Sequence, residues 1–219
     1  MSTPSDRRLP AATVDRLPLY LEVLADLVDS GVETIASGPL AEAAGVNSAI
    51  VRKDLSYLGT FGTRGVGYQA RDLADAIIVV LGLAEERRVV IVGVGNLGRA
   101  LASYDGFGKR GFHVAALVDA DPEKVGTIVG GRVVQALSDL RRVVRREEIS
   151  IGILATPAIA AQAVADDLVE SGVTAILNFA PTRVEVPASI SIRRVDLSTE
   201  LQILSFYEQI HGVTDRRRA

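Results

Sequence analysis

The 219-residue sequence predicts an α/β protein in two parts: a winged helix-turn-helix domain, then a doubly wound parallel sheet of the Rossmann type. Three observations predict it. Apolar residues recur at helical spacing over residues 13–58. From Arg88 onward, strand-like apolar runs alternate with helical stretches. Between one such strand and the next helix stands Gly93-Val94-Gly95-Asn96-Leu97-Gly98, a GxGxxG.

The elements follow in chain order. Val14, Leu17, Leu21, Leu24 and Val28 form one helical face, with a restart or kink expected at Pro18 and a stop at Gly31. Ser37-Gly38-Pro39 reads as the cap and early proline of a short helix, Leu40 to Ala44, which Gly45 ends. Asn47 caps a third helix, Ser48 to Leu58. The glycines at 59, 62, 65 and 67 predict a hairpin over Thr60–Tyr68, and Asp72 to Leu83 a further helix. Strands are expected at Val89–Val92, Val114–Val118, Ile151–Ala155 and Ala175–Asn178. Helices are expected at Asn96–Tyr104, Leu137–Arg146, Ile159–Ser171 and Ser198–Ile210. The corresponding domains are 1–84, 85–196, a terminal helix over 197–211 and a polar tail, 212–219.

Composition removes several function classes. There are no cysteines, so thiol catalysis, disulfides and a zinc ribbon are excluded. The two histidines, His113 and His211, lie far apart, and no metal site is expected. No apolar run reaches the roughly 18 residues of a membrane span, and the N-terminus lacks a signal-peptide core, so a cytoplasmic protein is expected. Net charge is −3. Basic residues are concentrated locally: between Val46 and Arg71, Arg52, Lys53, Arg64 and Arg71 oppose Asp54 alone.

In the GxGxxG, Gly93 makes the tight turn, Gly95 admits a pyrophosphate to the backbone, and Gly98 lets helix pack on strand. Asp119 follows 21 residues after Gly98, where a carboxylate binds a ribose hydroxyl and repels a 2′-phosphate. No arginine adjoins it in sequence, which favours NAD(H) over NADP(H). A bare structural turn and another nucleotide, such as a CoA derivative, are the alternatives. Loops at Thr156-Pro157 and Asn178-Phe179 are expected to complete the pocket.

On the third helix Val51, Leu55 and Leu58 face a core, while Ser48, Arg52 and Ser56 share the other side with Lys53 beside them. Arg52 suits bidentate recognition of guanine, and Lys53 a base or phosphate. Asn47 and Tyr57 complete the expected DNA face, and Arg64, at the wing tip, would probe a minor groove. An interaction module with a solvated basic face is the alternative.

Taken whole, the chain resembles the Rex family of bacterial redox-sensing repressors. The residues carrying the likeness are RLPLY at 16–20, VRKDLSYLGTFGTRGVGY at 51–68, VGVGNLGRAL from residue 92, YDGFGKRGF at 104–112, DADPEKVG at 119–126, LNFAPTR at 177–183 and VDLS at 195–198. The resemblance implies a homodimer whose C-terminal helix is exchanged between subunits. It implies binding of operator DNA at a low NADH/NAD⁺ ratio and release when NADH binds. It also implies that Tyr104 and Asp196 take part in sensing cofactor and subunit closure. Ser103 and Leu197 are departures, standing where relatives often carry asparagine and an aromatic residue.

An NAD-dependent oxidoreductase is the rival class. Only 121 residues follow Gly98, enough to finish a nucleotide domain but not to add a substrate domain, so no enzyme is expected. A dinucleotide-responsive protein-interaction module is a third reading.

Overall fold

A computed structural model describes residues 9–59, 61–63 and 66–216, without the side chains of 63 and 211–216. The chain divides into two units, residues 1–85 and 86–219.

The first unit holds α1 (Ala11–Asp29), β1 (Thr34–Ile35), α2 (Ser37–Ala43), α3 (Ser48–Leu58), β2 (Gly62–Thr63), β3 (Gly67–Gln69) and α4 (Ala70–Val80). Helix α1 continues through Pro18, so the expected restart does not occur. An interior proline costs about 3 kcal/mol. Leu17 and Leu24 are wholly buried on the same helix. Each contributes about 1.5–3 kcal/mol, so together they offset the proline. Gly31, in the left-handed region at φ +75°, ends the helix, and the Val32 N–H reaches back to Leu27 O at 2.9 Å.

Ser37 is not the cap of α2. Ala36 holds that position, and Ser37 is the first helical residue. Helix α3 has the expected bounds, with the Asn47 side chain accepting from Ala49 N at 2.8 Å. The hairpin is one side of a three-stranded sheet, in which β3 also pairs antiparallel with β1. Two-residue β1 was too short to register as a periodic pattern. Thr60, Arg64 and Gly65 of the expected wing lie outside the described residues. Helix α4 starts earlier than expected because β3 runs into it without a loop.

The second unit carries a seven-stranded sheet in the order β10-β9-β8-β4-β5-β7-β6. Its strands are β4 (Arg87–Val92), β5 (Phe112–Asp119), β6 (Ile128–Val129), β7 (Arg132–Ala136), β8 (Ile151–Leu154), β9 (Ala175–Asn178) and β10 (Ser191–Arg194). All pairings are parallel except β6 with β7. Its helices are α5 (Asn96–Ala102), α6 (Leu140–Arg146), α7 (Ala158–Ser171) and α8 (Leu197–Arg216).

Successive residues of β4 serve opposite faces. Val90 and Val92 pack with α6 and α7 residues such as Val143 and Leu168. Val89 and Ile91 pack with Ala102, Leu117 and Val134. A strand buried on both sides therefore reads as a continuous apolar run.

Strands β6, β7 and β10 were not expected. The first two form a hairpin around Gly130 and Gly131, at φ +54° and +74°, the turn that two adjacent glycines favour. Strand β10 is a mostly exposed edge strand. Helix α8 continues to Arg216, past the expected end at Ile210, because Gly212 weakens a helix without stopping it. Residues 217–219 of the expected tail lie outside the described residues.

Candidate functional site

The chain leaves β4 toward β5 on one side and returns to β8 on the other, so the carboxyl ends of β4 and β8 form a topological switch point. Ligands bind open α/β sheets in that crevice. Each GxGxxG glycine has a distinct reason. Gly93 sits at φ +96°, and a Cβ there would stand 2.5 Å from Ala155 O. A Cβ on Gly98 would overlap Gly93 O, so helix and strand close only over a glycine. A Cβ on Gly95 would meet nothing within 4 Å. The missing side chain at Gly95 therefore relieves no contact inside the chain and leaves its side of the loop open. Val94 is buried, and Asn96 and Leu97 open α5 facing solvent.

Asp119 ends β5 and is 7% exposed. Its Oδ2 accepts from Val94 N at 2.6 Å, and its Oδ1 from Asp121 N at 2.9 Å. Lys124 Nζ lies 3.2 Å from Oδ2 and 3.5 Å from Asp121 Oδ2. Burial pushes the Asp119 carboxyl up, but the Asp121 and Val94 N–H groups and Lys124 together hold it below the usual carboxylate range. A cation thus adjoins Asp119 in space: no arginine adjoins it in sequence, but Lys124, five residues on, folds back to it. The repulsion expected of Asp119 toward a 2′-phosphate would be correspondingly blunted.

Thr156 follows β8, and its Oγ1 is buried without a hydrogen-bond partner. A buried hydroxyl left unpaired costs about 1–3 kcal/mol. An orphaned donor beside Gly93, together with the open side of Gly95, fits a nucleotide's phosphates or carboxamide. Pro157 is the N-cap residue of α7. Asn178 is 1% exposed and serves its own loop: Oδ1 accepts from Ala180 N, and Nδ2 donates to Thr182 O. Phe179 packs on the cluster containing Ile91 and Ile153.

Tyr104 is 57% exposed and meets Phe107 edge-to-face at 5.2 Å. It lines a cavity of about 420 Å³ with His113, Gly130 and Arg132. That cavity lies at the amino end of β5, whereas the glycine loop lies at the carboxyl ends. The chain alone does not bring Tyr104 to the loop. Asp196 begins α8 as its cap: Oδ1 accepts from Ser198 N and Oγ, and Oδ2 from Arg194 Nη2 at 2.6 Å. The Ser198 hydroxyl, then its N–H and Arg194, hold this carboxyl below the usual range.

In the first unit, Arg52, Lys53 and Ser56 are exposed on α3, with Asn47 exposed at its cap and Ser48 and Tyr57 half-buried. Arg52 Nη1 donates to Ser37 Oγ at 3.1 Å, and Ser56 Oγ donates to Lys53 O at 2.7 Å. Asp54 does not offset this face. It is 1% exposed, points inward and is ion-paired with Arg16 at 2.6 Å. No reading of the linear sequence paired it with Arg16; the 38-residue separation hid the contact. Among the described residues no cluster of His, Cys, Asp and Glu is placed to hold a metal, and no helix is long and apolar enough to cross a membrane.

The chain is 57% identical over 203 residues to the redox-sensing transcriptional repressor Rex of Streptomyces coelicolor, an alignment covering 93% of this chain and 79% of that protein. It belongs to the Rex family. Rex of Desulfitobacterium hafniense is 46% identical, over 91% of this chain and 95% of that protein. The crystal structure of RSP, a Rex-family repressor, superposes with a TM-score of 0.87 at 31% identity, covering 98% of this chain and 100% of that one. RSP in complex with β-NAD⁺ and operator DNA matches equally well, with a TM-score of 0.87 at 33% identity over 97% and 98% of the two chains. A family described as CoA binding domain matches residues 84–182, and one described as putative DNA-binding protein N-terminus matches residues 8–56. The Rex family thus spans both units of the fold.

Proposed function

We propose that this chain is a redox-sensing transcriptional repressor, a regulator and not an enzyme, that binds operator DNA when NADH is scarce and leaves it when NADH binds. One observation carries the reading: a nucleotide cradle at Gly93, Gly95 and Gly98 and a solvent-facing Arg52–Lys53 helix share one chain. Family membership supports it, as do the complexes of RSP with β-NAD⁺ and operator DNA and with β-NADH. The ligand is NADH or NAD⁺, held by residues 93–98, Asp119 and the loops at Thr156-Pro157 and Asn178-Phe179. Asn47, Ser48, Arg52, Lys53, Ser56 and Tyr57 meet the major groove, with Arg64 as the minor-groove probe.

The working form is a homodimer in the cytoplasm. On α8, Leu201, Ile203, Leu204, Phe206, Tyr207 and Ile210 are 46–66% exposed, so more than half of the circumference presents apolar surface to water, the rest being the polar face of Gln202, Ser205 and Gln209. A second copy is the partner that buries such a helix and matches a palindromic operator. Asp196 stands at the root of that helix, and Tyr104 is exposed at the end of α5. In this reading the two residues report subunit closure, the partner's α8 reaching Tyr104.

A repressor requires the two sites to be coupled. NADH must bind the DNA-incompetent arrangement more tightly, and the coupling is reciprocal. The test is a DNA retardation assay on the promoter region of the protein's own gene, titrated with NADH, NAD⁺ and coenzyme A, with NADH affinity measured with and without that DNA. NADH alone should release DNA, and DNA should weaken NADH binding by the same factor. Release by coenzyme A instead, or equal NADH affinities in the two conditions, would sink the reading.

A further inference from the structure

On the core-facing side of α3, Val51, Asp54, Leu55 and Leu58 share one stripe, and one of the four is a carboxylate. Every lone-pair direction of that carboxylate is used. Thr13 Oγ1 and Arg16 Nη2 donate to Oδ1, each at 2.8 Å. Arg16 Nε and Tyr20 Oη donate to Oδ2, at 2.6 and 2.8 Å. All three donors come from α1, one helical turn apart, and Thr13 and Tyr20 are 2% and 0% exposed. The tyrosine hydroxyl is pushed up to about 12, first by burial and then by Asp54.

A well-packed apolar residue at position 54 would hold α3 to α1 about as strongly as this buried charge. It would not hold it in one orientation, because apolar contacts tolerate sliding and repacking. A bidentate guanidinium–carboxylate fork fixes both direction and register. Arg52 and Asp54 are two residues apart, about 200° around the helix. Any rotation of α3 about its axis therefore reaches Arg52 undiminished. About 10° displaces an atom roughly 6 Å from the axis by about 1 Å. That is a large error for a bidentate contact to a base edge.

Resting on the reading that α3 reads DNA, we propose that Thr13, Arg16 and Tyr20 act through Asp54 as a positioning cluster that sets the rotation of the recognition helix. Sequence preference is then set partly from behind the helix, by residues that never touch DNA.

The test uses the full chain and two duplexes at fixed salt: one enriched from a randomised pool by the native protein, and a scrambled duplex of equal composition. The readout is the affinity ratio between them. Arg52→Ala should lower the ratio about 5–150-fold. Arg16→Lys keeps the charge but loses the fork, and should lower it at least about threefold while scrambled-duplex affinity holds within about twofold. Tyr20→Phe keeps the ring, removes one donor and should lower the ratio less; it carries the test alone if Arg16→Lys does not fold. In an Arg52→Ala background, Arg16→Lys should change the ratio less than about twofold, because the guanidinium being aimed is gone. An unchanged ratio in both α1 variants, or an equal loss in the Arg52→Ala background, overturns the proposal. A native protein with no preference for any duplex overturns instead the DNA-binding reading on which it rests.

Discussion

Lys124 Nζ stands 3.2 Å from Asp119 Oδ2, so the acid expected to meet the ribose is also the partner of a cation. The contact raises the Lys124 ammonium, through the Asp119 hydrogen bond first. An Asp119 that meets the ribose would therefore oppose a 2′-phosphate with part of its charge covered. Lys124→Ala should uncover that charge and widen the preference for NADH over NADPH. Asp119→Ala should weaken NADH binding and narrow the gap. Calorimetric titration of both dinucleotides checks this, and a wider gap in Asp119→Ala would refute the assignment.

The three loop glycines should fail in different ways. Gly95→Ala meets no atom within 4 Å at φ −80°, so it should fold with a thermal midpoint at or slightly above that of the native protein. Its NADH affinity should fall sharply, because the new methyl occupies the pyrophosphate's approach. Gly98→Ala overlaps Gly93 O and should lose the fold of the second unit with its binding. Circular dichroism melts beside NADH titration separate the two. Wild-type affinity in Gly95→Ala would rule out the cradle.

Acid should act on the first unit through Asp54, whose carboxyl burial pushes up but Arg16, Thr13 and Tyr20 hold below its usual range. A depressed carboxyl stabilises fully above its unfolded value of about 3.9, and that stability is lost as pH falls through the lower folded value. The stability difference between native protein and Asp54→Asn should be constant above about pH 5 and shrink below about pH 4. Urea unfolding across that range measures it. A difference that grows toward acid would contradict the sign.

Asp167 has the opposite sign. Burial first, then Glu170 and Asp166, raise its carboxyl. The native state then resists ionising it, so the charge is destabilising at neutral pH. Asp167→Asn should raise the thermal midpoint at pH 7 by no more than about 2 °C, since the side chain is largely solvated. The gain should vanish below about pH 4.

Charging the terminal helix should break the proposed dimer. Leu204→Asp with Phe206→Asp places two carboxylates on a surface now 58–61% exposed in one chain. Sedimentation should show a folded monomer that still binds NADH and no longer retards operator DNA. A stable dimer would place the subunit contact elsewhere.

Local chemistry made much of this protein legible before any coordinates. Asn47 and Gly45 set the helix-turn-helix because a cap and a left-handed glycine act within a few residues. The strand at 89–92 announced itself because burial on both faces makes every residue apolar. The glycine pattern at 93–98 announced the nucleotide loop because Gly93 and Gly98 answer steric demands made within the loop and its neighbouring strand, while Gly95 leaves the ligand's side open. Tertiary structure decided what depends on contacts across the chain. Asp54 reads as one acid among cations until α1 brings Arg16, Thr13 and Tyr20 to it from 34–41 residues away. Asn178, an expected ligand-binding residue, spends its side chain on its own loop. Strand β10 was hidden because an edge strand with little burial carries no apolar period. Periodicity and capping are written in neighbouring residues. The partner of a buried charge is chosen only when distant segments pack and water leaves.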